Sequence, residues 1–183
     1  MADLAALLDA SVIVPASLND TLLLAAEAGL YRVHWSADIL DEVQRTLISD
    51  GMATFDQAAK RLAAMRHAFP GAMVVEYQAM IDQMTNHPKD RHVAAAAVAA
   101  GANVIVTSNL RDFPQASLVP YGILAKSPDD FLIDLDDSAP ALLTRIVVRQ
   151  AAGLRRPPAS PEEVLDHLSL HAPLFAARLL ARF

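Results

Sequence analysis

The sequence predicts an α/β fold, a three-layer arrangement with a central, mostly parallel sheet between helices, followed by a helical C-terminal extension. Three observations carry this. The runs at 4–8, 12–14 and 104–106 are apolar at every position, as strands covered on both faces must be. These runs alternate with stretches of helical periodicity, which implies crossover connections. Acidic residues also stand at or just past such strand ends, Asp9 and Asp112, at the start of one helical pattern, Asp90, and inside another, Glu42.

The elements follow in order. Residues 4–8 and 12–14 read as buried strand, stopped by Pro15. Asn19 or Asp20 caps a helix over 21–30, with Leu22, Leu23, Ala26 and Leu30 inward and Gly29 near its end. Residues 31–35 alternate as a short strand. Ser36 caps a helix to about Ser49, its apolar stripe made by Ile39, Leu40, Val43 and Leu47. Thr54 and Gln57 form a capping-box pattern for a helix that runs to Phe69. A strand at 73–77 and a short helix at 78–84 come next. Asp90 opens an alanine-rich helix over 93–100, with Gly101 as terminator, and 103–107 is the last clear buried strand. Beyond Asp112, residues 117–125 read as one more strand. Ser127-Pro128-Asp129-Asp130 then starts a helix in the order cap, proline, acid. A helix over 139–152, a linker at 153–159, a capping box at Ser160-Pro161-Glu162-Glu163 and helix from 173 to 183 complete the chain. The expected division is an α/β unit at 1–126 and a helical extension at 127–183.

Composition narrows the function. Of the 183 residues 54% are hydrophobic, but in short segments, and none approaches the roughly 18 to 20 apolar residues of a membrane span. Met1-Ala2-Asp3-Leu4 lacks the basic start of a signal peptide. The absence of cysteine removes disulfides, thiol catalysis and cysteine-ligated zinc, and a cytoplasmic protein is expected. A net charge of −6 argues against nonspecific coating of nucleic acid, which draws on positive surface. Bound divalent cations would weaken that argument. Local basic clusters remain at Lys60, Arg61, Arg66 and His67, at Lys89 with Arg91, and at Arg155 with Arg156.

Each acid has an ordinary reading by itself. Asp90 suits a helix cap, Asp112 a turn before Phe113-Pro114, and Glu42 a solvated helix face paired with Arg45. Asp9 is harder to dismiss, because an acid that ends five apolar residues needs a partner if buried. Ligands gather outside the carboxyl ends of strands in open α/β sheets. Four anions brought together there would repel strongly without a cation, and hard divalent ions take oxygen ligands. Other chemistries lack support. The six histidines form no H-E-x-x-H pair, and no G-x-G-x-x-G, Walker A or G-x-S-x-G pattern occurs. His92 is expected off the helix surface, and Trp35 in the core.

The motifs Leu8-Asp9-Ala10-Ser11-Val12, Glu42 within 36–47, Lys89-Asp90-Arg91-His92-Val93 and Thr107-Ser108-Asn109-Leu110-Arg111-Asp112-Phe113-Pro114 resemble those of PIN-domain ribonucleases, of the kind found as VapC toxins. The resemblance covers about 4–125 in four separated motifs, in order. The tail looks like the extension of one subgroup. It implies a Mg²⁺- or Mn²⁺-dependent endoribonuclease with one or two ions held by Asp9, Glu42, Asp90 and Asp112. Asp9 and Asp90 would be the best direct ligands, with Thr107 and Asn109 supporting. Arg91 and Arg111 could hold flanking phosphates, or be ordinary surface charge. A cognate antitoxin, an RNA substrate and a homodimer are the implied partners. One departure stands out: Asn86-His87-Pro88-Lys89 precedes Asp90 where relatives are often richer in acid. Two alternatives accompany this reading: a non-catalytic binding module of PIN fold, and a structure-specific DNA nuclease or phosphohydrolase of similar fold.

Overall fold

The computed structural model describes residues 4–155 and 157–183. The opening residues 1–3, read above for a signal peptide, and Arg156 of the basic pair in the linker lie outside the described residues. Five parallel strands form one sheet in the order β3-β2-β1-β4-β5. They are β1 (Ala5–Leu8), β2 (Arg32–Ser36), β3 (Met73–Val74), β4 (Val104–Val106) and β5 (Leu124–Lys126). The helices are α1 (Ala10–Ile13), α2 (Ala16–Glu27), α3 (Ala37–Ser49), α4 (Phe55–Ala68), α5 (Arg91–Ala99) and α6 (Gln115–Leu118), then α7 (Pro128–Ser138), α8 (Pro140–Gly153), α9 (Pro161–Ser169) and α10 (Pro173–Leu180).

All four residues of β1 are fully buried, as a central strand of a covered parallel sheet requires. The connections β1→β2→β3 travel one way along the sheet and β3→β4→β5 the other. With right-handed crossovers this reversal puts α2 to α4 on one face and α5 on the other. The topological switch point therefore lies between the carboxyl ends of β1 and β4, where open α/β folds form their crevice.

Caps decide most helix boundaries. Ser36 Oγ accepts from the Ile39 N–H, and reciprocal capping boxes open α4 at Thr54/Gln57 and α9 at Ser160/Glu163. Gly29 and Gly101 take left-handed φ of 79° and 61° to close α2 and α5. The N–H of the following residue then reaches back to Ala25 O and Ala97 O, respectively.

Four expected elements differ. Residues 12–14 are not strand: Val12 and Ile13 lie in the single turn α1, whose Val12 and Ile13 N–H groups bond to Asp9 O. A short run apolar on all sides cannot distinguish buried strand from buried helix. The α2 helix begins at Ala16, straight after Pro15, and not at a cap on Asn19 or Asp20. Asn19 and Thr21 instead face inward, and Thr21 Oγ1 donates to Gln150 Oε1 of α8 at 2.7 Å. The strand expected at 73–77 pairs only at Met73–Val74, because Glu76 turns the chain with a φ of 61°. Residues 117–125 mostly coil through α6 and a 3₁₀ turn at Val119–Tyr121, and Gly122 at φ 69° redirects them into the short β5. Pro120 offers no N–H to a sheet ladder.

The helical C-terminal region packs into the same core. Phe131 of α7 meets Tyr31 edge-to-face at 5.0 Å, and Leu132, Leu143, Val147 and Phe175 are buried in one cluster with the sheet residues. No helix among the described residues is long and apolar enough to cross a membrane.

Candidate metal centre

Asp9 follows β1 directly and is held on every side. Its N–H donates to Val106 O of β4, which ties it to the switch point. Its Oδ1 accepts from the Ala10 N–H at 2.8 Å, capping α1. Its Oδ2 accepts from Ser11 Oγ at 2.7 Å and from Thr107 Oγ1 at 2.8 Å. Thr107, fully buried, in turn accepts from the Asn109 N–H, and Ser11 Oγ accepts from the Ser108 N–H. The loops after β1 and β4 are thereby laced together through one carboxylate. Three donors of this kind lock its direction.

Asp90 reaches the same place from the other side. A 3₁₀ turn at Pro88–Asp90 leads into α5, yet the Asp90 side chain makes no capping bond. The ordinary reading as a helix cap is thus excluded. The residue is 6% exposed and its Oδ2 has no hydrogen-bond partner. Burial raises its pKa above the usual carboxylate value, the negative charges of Asp9, Asp112 and Glu42 add to the rise, and Lys89 opposes it. Three of the acids therefore bear electrostatically on the fourth.

Asp9, Ser11, Glu42, Asp90 and Asn109 line one cavity of about 230 Å³. Glu42 turns towards this centre and not towards Arg45: Lys89 Nζ lies 3.6 Å from its Oε1 and His92 Nε2 lies 4.0 Å from its Oε2. His92, expected off the helix surface, instead faces inward and is only 18% exposed. Asp112 closes a 3₁₀ turn at Leu110–Asp112, and its carbonyl accepts from the His87 N–H. Among the described residues His87, Asp90 and Asp112 bring ligand atoms within 4.8 Å of one another. Donors gathered round one divalent cation, with oxygen ligands about 2.0–2.6 Å out, have this spread. An orphaned, buried carboxylate oxygen among further carboxylates fits such an ion.

The two arginines differ. Arg111 is exposed beside a cleft of about 400 Å³ that it shares with Ser108, Asn109 and Asp112. Arg91 folds back, its Nε donating to Asn86 O. Arg61, from the basic cluster on α4, is likewise engaged, donating to the Val14 and Ile13 carbonyls at the end of α1. Three contributors are absent from the site residues expected from the sequence: Ser11, His87 and His92. Ser11 carried a signal, since a hydroxyl two residues past a buried acid can close back on it.

A parallel sheet with carboxylates converging on its switch point defines a class of α/β proteins with room for a cation at the strands' carboxyl edge. Comparison with known proteins is more specific. Residues 5–111 match the PIN domain family, and the chain belongs to that family. Residues 128–181 match the family described as VapC50 C-terminal domain. The chain is also similar to the protein named "Putative ribonuclease VapC50" of Mycobacterium tuberculosis, 43% identical over 107 residues. That alignment covers 58% of this chain and 63% of the relative. No solved structure gives a significant match.

Proposed function

We propose that this protein is a metal-dependent endoribonuclease of VapC type, the toxin of a toxin–antitoxin pair. The observation that carries the reading is the convergence on Asp90: a buried, unpartnered carboxylate oxygen whose pKa is pushed up by burial and by Asp9, Asp112 and Glu42. Asp9, Asp90, Glu42 and Asp112 are the ligands in this reading, and Mg²⁺ or Mn²⁺ is the ion. A divalent cation bound there supplies activation of water and stabilisation of the oxygen that leaves phosphorus.

The chain's own residues supply position. Ser11 and Thr107 fix the Asp9 carboxylate, and Thr107 also anchors the Asn109 backbone, so the rim and the floor of the cavity are tied together. Arg111, at the open side, suits a flanking phosphate, and Arg91 serves chiefly to hold its own loop. Antitoxin control fits an acidic cleft that a partner helix or tail covers. The homodimer belongs to the same reading, and so does the division into a PIN unit at 1–126 and an extension at 127–183.

The test is cleavage of single-stranded RNA by purified protein. Activity is expected with Mn²⁺, lost in EDTA, and reduced at least about 100-fold in Asp9→Asn and Asp90→Asn, in line with loss of about 2.7 kcal/mol of transition-state stabilisation. Faster cleavage of flapped DNA or a phosphomonoester would favour the related hydrolase reading. Metal binding without cleavage of any of the three would favour a binding module.

A further inference from the structure

His87 has no role in the reading above, yet the fold aims it at the centre. Its N–H donates to Asp112 O at 3.1 Å, and its carbonyl accepts from the Asp90 N–H at 2.9 Å. Pro88 follows it and keeps it out of the helical region, at φ −51° and ψ 130°. The loop is thus clamped to the Asp112 turn and then bent by one 3₁₀ turn, which brings Asp90 back beneath the imidazole. Nδ1 ends 3.4 Å from Asp90 Oδ2.

That separation decides between two roles. A charge-assisted hydrogen bond would draw the pair to about 2.7–2.9 Å. Asp90 Oδ2 makes no such bond and is buried without a hydrogen-bond partner. Leaving a buried acceptor unsatisfied is unfavourable, so the arrangement asks for something between the two groups. Their ligand atoms, together with that of Asp112, lie within 4.8 Å of one another.

We propose that His87 donates Nδ1 to the cation held by Asp90 and Asp112, so that this position is a nitrogen–oxygen site and selects Mn²⁺ over Mg²⁺. The proposal rests on the metal-nuclease reading and adds to it a ligand and a selectivity. Mg²⁺ demands near-ideal octahedral oxygen surroundings and sheds water reluctantly, whereas Mn²⁺, although the weakest binder of the first-row series, is softer than Mg²⁺ and accepts an imidazole nitrogen more readily. Half of the imidazole is exposed, at 54%, so the side chain can be replaced without opening the core.

The experiment uses the full chain, stripped of metal and titrated separately with Mn²⁺ and Mg²⁺, with affinity read by thermal shift and coordination by pulsed EPR on bound Mn²⁺. The wild type is expected to show the modulation of a directly bound nitrogen. His87→Gln is expected to lose it, and His92→Ala to keep it. His87→Gln should also weaken Mn²⁺ binding at least about tenfold, the lower end of what even an outer partner contributes, and leave Mg²⁺ binding unchanged. Wild-type Mn²⁺ with oxygen ligands alone, its binding still abolished by Asp90→Asn, would overturn the His87 assignment and leave the nuclease reading standing. Equal losses of both ions in His87→Gln would show a loop-shaping role and overturn the selectivity. A wild type that binds neither ion would overturn both readings.

Discussion

Asp90 is held in the metal-free chain at a cost. Its carboxylate is buried beside three other acids, and its pKa lies above the ordinary value, chiefly through burial. Because the folded pKa exceeds the unfolded one, the penalty is fully present above the folded value and is relieved as pH falls towards the unfolded one. At neutral pH, Asp90→Asn is therefore expected to stabilise the protein in EDTA by about 1 kcal/mol, or roughly 2–4 °C in Tm for a chain of this size. Saturating Mn²⁺ should reverse the order, since only the wild type gains stability from the ion. Differential scanning fluorimetry in both buffers checks this, and a variant less stable than wild type in EDTA would refute it. The four acids stand out in the sequence because Asp9 ends an apolar run, Asp112 follows another, Asp90 opens a helical pattern and Glu42 borders an apolar helix stripe. His87 and His92 were not: their direction depends on a backbone bond between the loops of His87 and Asp112 and on which side of α5 meets Glu42.

At the scale of elements, local chemistry was readable and burial without periodicity was not. Ser36, Thr54, Ser127 and Ser160 each cap the helix expected of them, because the cap and its partner lie within three residues. The α1 turn is not readable locally because its apolar surroundings come from the whole fold, nor is the start of α2, because Asn19 is buried against Met65 of α4 and Thr21 is bonded to Gln150 of the extension. The ties within the extension were equally invisible. Asp136 of α7 is 1% exposed, and the Arg182 side chain just past α10 donates to both its oxygens, at 2.8 and 2.6 Å. Arg178 Nε adds a contact at 3.3 Å. Arg182→Met should lower stability by about 1–3 kcal/mol, because the buried carboxylate loses a two-pronged partner and keeps only Arg178. Arg149→Met breaks an exposed pair with Glu27 and should leave the urea midpoint where it is. Equal effects of the two variants would mean that the Asp136 pair contributes nothing special.

At the scale of the whole molecule, the extension acts as a cover for the sheet's helices and not as a unit with a core of its own. Gln150 of α8 accepts from Thr21 and donates to the Ser17 carbonyl, so both ends of its amide are spent on α2. Phe131 packs edge-to-face against Tyr31, whose hydroxyl donates to Leu22 O, and the buried residues of α7 to α10 join those of the sheet in one continuous cluster. Ending the chain after Lys126 would bare the outer face of α2 and the ring of Tyr31, and remove Gln150 from Thr21 and the Ser17 carbonyl. Small domains that lose such a face have little stability in reserve, since the whole is held by about 5–15 kcal/mol. The full chain is therefore expected to unfold in urea in one transition, with fluorescence of Trp35 and far-ultraviolet circular dichroism tracing the same curve. Fragment 1–126 should give no cooperative transition and should aggregate. Two separated transitions in the full chain, or a fragment that melts cooperatively with a native-like spectrum, would show that the sheet keeps its fold without the cover.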